Sequence, residues 1–136
     1  MLDWNEFRRR VDAANHVLLT THVRPDGDAL GSELAFRRLL IGKGKRVSIF
    51  NPGTTPPRYR FLDTSGELIG FLSPTNSAPP AEIDLFVVLD TGTWSQLPGL
   101  RPIFEASKAP KVVVDHHQTQ DDLGALRIVD VKQAAC

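Results

Sequence analysis

Three short apolar runs in this chain each end on side chains that carry charge or bind metals, and that pattern narrows the folds open to it. Val17-Leu18-Leu19 is followed by His22, Asp26 and Asp28; Leu85 to Leu89 stops at Asp90; Lys111-Val112-Val113-Val114 stops at Asp115-His116-His117. Apolar runs this short, bounded by turn residues, read as strands buried on both faces. Pro25 blocks any continuation of the first. Further strands are predicted at Arg46 to Phe50 and Ala125 to Val129. Strands of this kind alternating with helices indicate an α/β domain with a mainly parallel sheet of about five strands flanked by helices. In such a sheet the carboxyl ends of the strands share one edge, and ligands bind there. Residues far apart in sequence would meet at that edge.

The helices follow from spacing. Trp4, Phe7, Val11 and Ala14 recur at helical intervals and predict a helix over 3–14, with Asp3 and Glu6 as a capping box. Arg8, Arg9 and Arg10 mostly occupy its other side and read as a solvated face rather than a phosphate patch. After Asp26-Gly27-Asp28, the eight apolar residues among 29–41 predict a helix with no more than a narrow wet face. Gly42 and Gly44, with Lys43 and Lys45, stop it. Gly42-Lys43-Gly44 has no third glycine and no following helix, so it is not a dinucleotide fingerprint. Pro52, Gly53, Pro56 and Pro57 impose an irregular connection, and 58–72 show no clear pattern. Ser73 to Pro80 is a loop, Gly92 to Gly99 is irregular, and a helix is predicted near Leu100 to Ser107.

Composition sets the scale. The chain has 136 residues, 41% of them hydrophobic and 24% charged, which describes one ordinary domain. Sixteen basic residues balance sixteen acidic ones, leaving no global positive field to hold a long duplex nucleic acid. Cys136 has no internal partner, and the start Met1-Leu2-Asp3-Trp4-Asn5 is not a basic, then apolar signal. No apolar run approaches the ~20 residues of a membrane span. A cytoplasmic address with no membrane partner is the expectation.

Asp26, Asp28, Asp90 and Asp115 brought together would repel one another, and a cation is the simplest reason for such a cluster to be tolerated. Carboxylates mixed with imidazoles suit Mn²⁺, Fe²⁺, Co²⁺ or Zn²⁺ better than Ca²⁺, with Mn²⁺ preferred. The ligands suffice for two ions sharing one carboxylate. Two ions ~3.5–4 Å apart activate water and neutralise phosphoryl oxygens, so phosphoester hydrolysis is the leading chemistry. Singly, each group has a plainer reading. Asp28 could cap the following helix, Asp90 could begin an Asx-turn into Thr91-Gly92, and His116-His117 could lie in an exposed loop. Their joint occurrence at successive strand ends favours the metal site. His16, at the start of its strand, reads as a core or surface histidine, and Cys136 has no context for a nucleophile. Trp94 could stack on a base or cover the domain edge.

The segments from Thr21 to Ser32 (THVRPDGDALGS), Val88-Leu89-Asp90-Thr91 and Val114-Asp115-His116-His117 resemble the DHH phosphoesterase superfamily, and within it the nanoRNase and pAp-phosphatase type. The resemblance implies a Rossmann-like three-layer domain and two Mn²⁺ ions, one held by His22, Asp26 and Asp90, the other by Asp28, Asp90 and His116. It implies that Asp115 orients the histidine pair, that His117 faces the scissile phosphate, and that no covalent intermediate forms. Members of the family carry a further aspartate for the second ion and a C-terminal DHHA1 substrate domain. Neither is present in residues 1–136, which reads as a C-terminally incomplete DHH domain, with Asp130 to Ala135 as the start of a further helix and little or no turnover expected of this chain alone. Gln96 and Gln120 stand where relatives often have arginine and asparagine. The implied activity is Mn²⁺-dependent hydrolysis of short oligonucleotides, with pAp as a second substrate; a homodimer is admitted. Cyclic-dinucleotide phosphodiesterase and manganese pyrophosphatase are the catalytic rivals, and a non-catalytic nucleotide- or metal-binding module is the rival of another class.

Overall fold

A computed structural model describes residues 1–136. Helix α1 (Trp4–Ala13) leads into β1 (His16–Thr20), α2 (Gly27–Gly42) and β2 (Arg46–Asn51). A 3₁₀ segment at Pro57–Leu62 precedes β3 (Ile69–Phe71) and then β4 (Leu85–Leu89). A second short 3₁₀ turn, Trp94–Gln96, is followed by α3 (Arg101–Ala106), β5 (Lys111–Asp115) and β6 (Leu126–Val129). The strands form one six-stranded sheet in the order β3-β2-β1-β4-β5-β6. All five pairings are parallel. The order reverses between β1 and β4, which is the switch point where sheets of this class open a crevice.

Alternation along the central strands divides the core into the two inner surfaces of a three-layer fold. Val17, Leu19, Leu85, Val87, Leu89 and Val112 face one side, packing with Leu30 and Leu40 of α2 and Val11 of α1. Leu18, Phe86, Val88 and Val113 face the other, with Phe104 of α3, Leu97, Leu100 and Leu123. Strands covered on both faces have no polar side, so they read as continuous apolar runs in the sequence.

Several expectations are refined. The sheet has six strands rather than about five, because β3 lies in the stretch where no pattern was visible. It is only three residues long with Gly70 at its centre, too short for alternation to show. Helix α2 is less buried than its composition implies: Leu39 is 56% exposed and Ile41 44%, while the acidic Glu33 is fully buried. Asp130 to Ala135 do not begin a helix; they form turns, with Asp130 accepting bonds from the Lys132 and Gln133 backbones.

At α1 the Asp3 carboxylate accepts a hydrogen bond from the Glu6 backbone N–H, one half of a capping box. Glu6 uses its own carboxylate on Arg9 and Arg10 at 2.7 Å, and these bonds pull it down to about 2. Arg10 also donates to the Lys111 carbonyl. The triple arginine is thus a helix-surface ion network and not a phosphate patch. His16 is a core histidine, 4% exposed, with Nε2 2.8 Å from the Ser48 hydroxyl.

Candidate metal centre

β1 ends at Thr20, Thr20 and Thr21 are both buried, and a polar network holds the chain there as it enters the site. The Thr21 backbone N–H donates to Asn51 Oδ1 (3.1 Å), whose Nδ2 donates to Glu33 Oε2 (3.0 Å). The Thr21 hydroxyl donates to the Leu89 carbonyl at 2.8 Å. The residue before His22 is thereby tied to the residue before Asp90. Burial pushes the Glu33 carboxyl up to about 8, against the opposing bond from Asn51, so it is a neutral acid at pH 7.

The chain then turns through Arg24, whose φ is 51°, into α2. The N-cap of α2 is Asp26, whose Oδ1 accepts from the Ala29 N–H at 3.0 Å. Asp28 is therefore not the cap and stands in the first turn, turned toward the site. Asp90 is 2% exposed with φ at 62°, a left-handed backbone that costs a non-glycine residue energy and recurs at functional sites. Its two oxygens face different ways. Oδ2 lies 3.5 Å from His22 Nε2, and Oδ1 lies 3.1 Å from His116 Nε2. His22 Nε2 is also 3.7 Å from Asp26 Oδ1, and His116 Nε2 is 3.3 Å from Asp28 Oδ2. Two clusters thus share Asp90.

The imidazoles are oriented from behind. His22 Nδ1 donates to the Val23 carbonyl at 2.9 Å, and His116 Nδ1 to the Gln133 carbonyl at 3.3 Å. That tautomer leaves each Nε2 with a lone pair aimed at carboxylates, which is how metal-ligating histidines are held. Lone pairs and carboxylates in opposition need a cation between them. When a proton fills that role at His22, the Asp90 carboxylate beside it raises the imidazole to about 9, against the effect of burial. Nitrogen and oxygen donors without thiolate fit Mn²⁺, Fe²⁺, Co²⁺ or Zn²⁺.

Asp115 and His117 also place ligand-type atoms close to those of Asp90 and His116, within 4.8 Å. The Asp115 carboxylate is already engaged. Its Oδ1 accepts from His117 Nδ1 (2.6 Å) and the His116 backbone N–H (2.8 Å), and its Oδ2 from Gln120 Nε2 (2.6 Å). Asp28 is the third donor of the second cluster, with Oδ2 3.3 Å from His116 Nε2; its carboxylate also accepts from the Cys136 backbone N–H at 2.9 and 3.0 Å. The bond to Asp115 raises the His117 imidazole above its usual value, and its ring is half-exposed.

In front of these groups lies a cleft of about 470 Å³. Thr93, Ser95, Gln96, Gln118 and Thr119 line it together with His22, Asp26, Asp90 and His117. It contains no Phe, Tyr or Trp. Trp94 is turned away, edge-on to Phe104 at 5.3 Å, so it covers the domain edge. A second cleft, of about 370 Å³ at the β2–β3 edge, is lined by residues such as Arg37, Ser48, Glu67 and Asn76 and holds no cluster of carboxylates and imidazoles.

All seven sequence-predicted site residues converge on one edge. The sequence reading missed the supporting layer of Thr21, Glu33 and Asn51, and it noted Gln120 only as a departure from the asparagine of relatives, not as a partner of Asp115. A signal existed for Glu33: it falls on the same helical face as Ala29, Leu30 and Leu40, the buried positions of α2.

A fully parallel sheet that gathers acids and imidazoles at its switch point defines an α/β domain built around a carboxylate–histidine centre. The chain belongs to the DHH family: the family model for the DHH N-terminal domain matches residues 16–136. It is 34% identical over 120 residues to the bifunctional oligoribonuclease and PAP phosphatase NrnA of Thermus thermophilus, covering 88% of this chain and 33% of that protein. With the Bacillus subtilis protein of the same name it shares 28% over 130 residues, 96% of this chain and 38% of the relative. The chain thus spans little more than a third of the length of these relatives. A crystal structure of an exopolyphosphatase-related protein from Bacteroides fragilis has the same fold, with a TM-score of 0.84 at 23% identity, over 96% of this chain and 39% of that one.

Proposed function

We propose that this domain is the metal-binding part of a hydrolase acting on short phosphoesters, a few-nucleotide RNA and pAp among them. The observation that carries the reading is the shared carboxylate: Asp90 presents one oxygen to each of two imidazoles, each with a further carboxylate beside it. His22, Asp26 and Asp90 would hold one divalent ion, and Asp28, Asp90 and His116 the other, with Mn²⁺ the preferred occupant. Such a pair, when bound, supplies charge neutralisation at the phosphoryl oxygens and lowers the pKa of water.

The chain's own residues supply the rest. Asp115 Oδ1 accepts a hydrogen bond from His117 Nδ1–H at 2.6 Å, which turns Nε2 toward the cleft, where it carries a proton when the ring is imidazolium. As imidazolium, His117 is placed to give the Nε2 proton to a departing oxygen, and the bond to Asp115, which raises its pKa, favours that form. Hydroxyls and amides at Thr93, Ser95, Gln96 and Thr119 offer hydrogen bonds to phosphate and sugar but no apolar surface to a base. Binding that ignores base identity suits hydrolysis of short RNA of any sequence. The overall neutral charge agrees with this, since few phosphates need local cations rather than a long basic track.

The test is a substrate panel on the protein that carries this chain, with Mn²⁺ and with chelator. Release of mononucleotides from a 5′-phosphorylated dinucleotide and of phosphate from pAp, both lost on chelation, is the expected result. Rapid hydrolysis of pyrophosphate or of a cyclic dinucleotide without attack on the linear dinucleotide overturns the substrate assignment. Absence of Mn²⁺ binding to the folded chain overturns the metal assignment.

A further inference from the structure

We propose that Gln120 is a positioning residue that fixes His117 through Asp115, and that Gly92 is the seat that holds Gln120 in place. The proposal rests on the reading of His117 as the group that faces the substrate. The Asp115 side chain is completely buried, and the His117 ring takes its direction from Asp115 Oδ1 at 2.6 Å. What stops the carboxylate from rotating is its other oxygen. Oδ2 accepts from Gln120 Nε2 at 2.6 Å, and the same Nε2 donates to the His117 carbonyl at 3.1 Å. Both partners can only accept, so the amide orientation is unambiguous and both of its protons are engaged.

The other end of the amide shows that packing alone does not account for the residue. Gln120 Oε1 is buried and has no hydrogen-bond partner, a costly arrangement that a hydrocarbon side chain would avoid. It lies directly over Gly92. A Cβ at position 92 would stand 1.8 Å from Oε1 and 2.4 Å from the amide carbon. Gly92 does not occupy the left-handed region, so glycine is required there for space and not for backbone conformation. Around this contact two loops are clasped: the Asp121 N–H donates to the Gly92 carbonyl at 2.8 Å, and the Trp94 N–H to Asp121 Oδ2 at 2.7 Å. One loop comes after Asp90 and the other after His117. Their clasp sets the relation between the metal-facing carboxylate and the substrate-facing imidazole.

Gln120→Met keeps the side chain's length and removes its donor; Gly92→Ala displaces the amide from the opposite side and carries the test if the first variant disturbs the loop. In the folded 136-residue chain, ¹⁵N-labelled at histidine, the His117 Nδ1 proton should exchange slowly with water. Exchange at least about tenfold faster in both variants is expected, with Gln120→Asn, which retains the donor, closer to wild type. In the Mn²⁺-loaded protein the same variants should lose about tenfold in kcat on the dinucleotide while KM stays within about twofold. Unchanged Nδ1 exchange in folded Gln120→Met and Gly92→Ala overturns the inference, whether or not the wild type hydrolyses anything. A wild type inactive on every phosphoester overturns the functional reading instead, and the imidazole exchange still decides the positioning role.

Discussion

Asp90→Asn is expected to remove both divalent ions at once while leaving the apo fold intact. Oδ2 faces His22 and Oδ1 faces His116, so a single amide spoils both clusters, whereas Asp26→Asn or Asp28→Asn touches only one. The amide nitrogen cannot ligate, and the remaining carbonyl is neutral. Loss of an outer-shell partner already costs about 10–100-fold in metal affinity, so loss of the shared ligand should exceed about 100-fold at both sites. The fold should not suffer. Asparagine tolerates the left-handed backbone that residue 90 adopts at φ 62°, and the change withdraws a buried negative charge from beside the Asp26 and Asp28 carboxylates. Mn²⁺ titration calorimetry and thermal melting separate the two effects. The wild-type midpoint should climb with added Mn²⁺ because only the folded chain binds it, and that of the variant should not respond. Retention of one ion at near-native affinity would show that the carboxylate is not shared.

Glu33→Gln should change how stability depends on pH. Glu33 is fully buried, and its carboxyl titrates at about 8 against an ordinary value of 4.5. Between those two values the folded chain keeps a proton that the unfolded chain gives up. Stability therefore falls as pH rises through that window, is unaffected by this group below it, and levels off above it. At about 1.4 kcal/mol for each unit, the loss across the window is roughly 3–5 kcal/mol. Glutamine has the shape of the neutral acid and cannot ionise; its carbonyl can still accept from Asn51. Denaturant melts of the metal-free chain at pH 5 and pH 8.5 should show wild type losing most of that amount and the variant little of it. Equal slopes in the two proteins would mean that Glu33 ionises freely in the fold.

The sequence made the centre of the domain legible because burial on both faces leaves a plain signature. Val17-Leu18-Leu19, Leu85 to Leu89 and Val112-Val113-Val114 are continuous apolar runs, and each stops at the edge where polar groups return. Asp90 and the pair His116-His117 were visible for that reason. β3 escaped notice because three residues around Gly70 cannot show alternation, and their pairing is decided by β2. The supporting roles of Glu33, Asn51 and Gln120 escaped for a different cause. Their partners lie on other elements, as Asn51 shows by joining Glu33 of α2 to the Thr21 backbone, and no local pattern encodes such a bond. The plainer reading of Asp28 as a helix cap failed because Asp26, two residues earlier, performs that task.

The reversal of strand order at the sheet's centre also bears on how the chain is made. Residues up to Phe71 contain β1, β2 and β3, which can pair as one half-sheet, but β1 meets its other neighbour only in β4, from Val17 with Leu85 to Thr20 with Val88. During synthesis the apolar edge of β1 stays open until the Pro-rich stretch has emerged and β4 arrives, and an open central strand is a template for pairing with other chains. A translation product halted before Leu85 already holds His22, Asp26 and Asp28, yet it is expected to sediment as aggregate rather than bind Mn²⁺. Nascent-chain solubility measured against length should rise sharply once Leu89 is included.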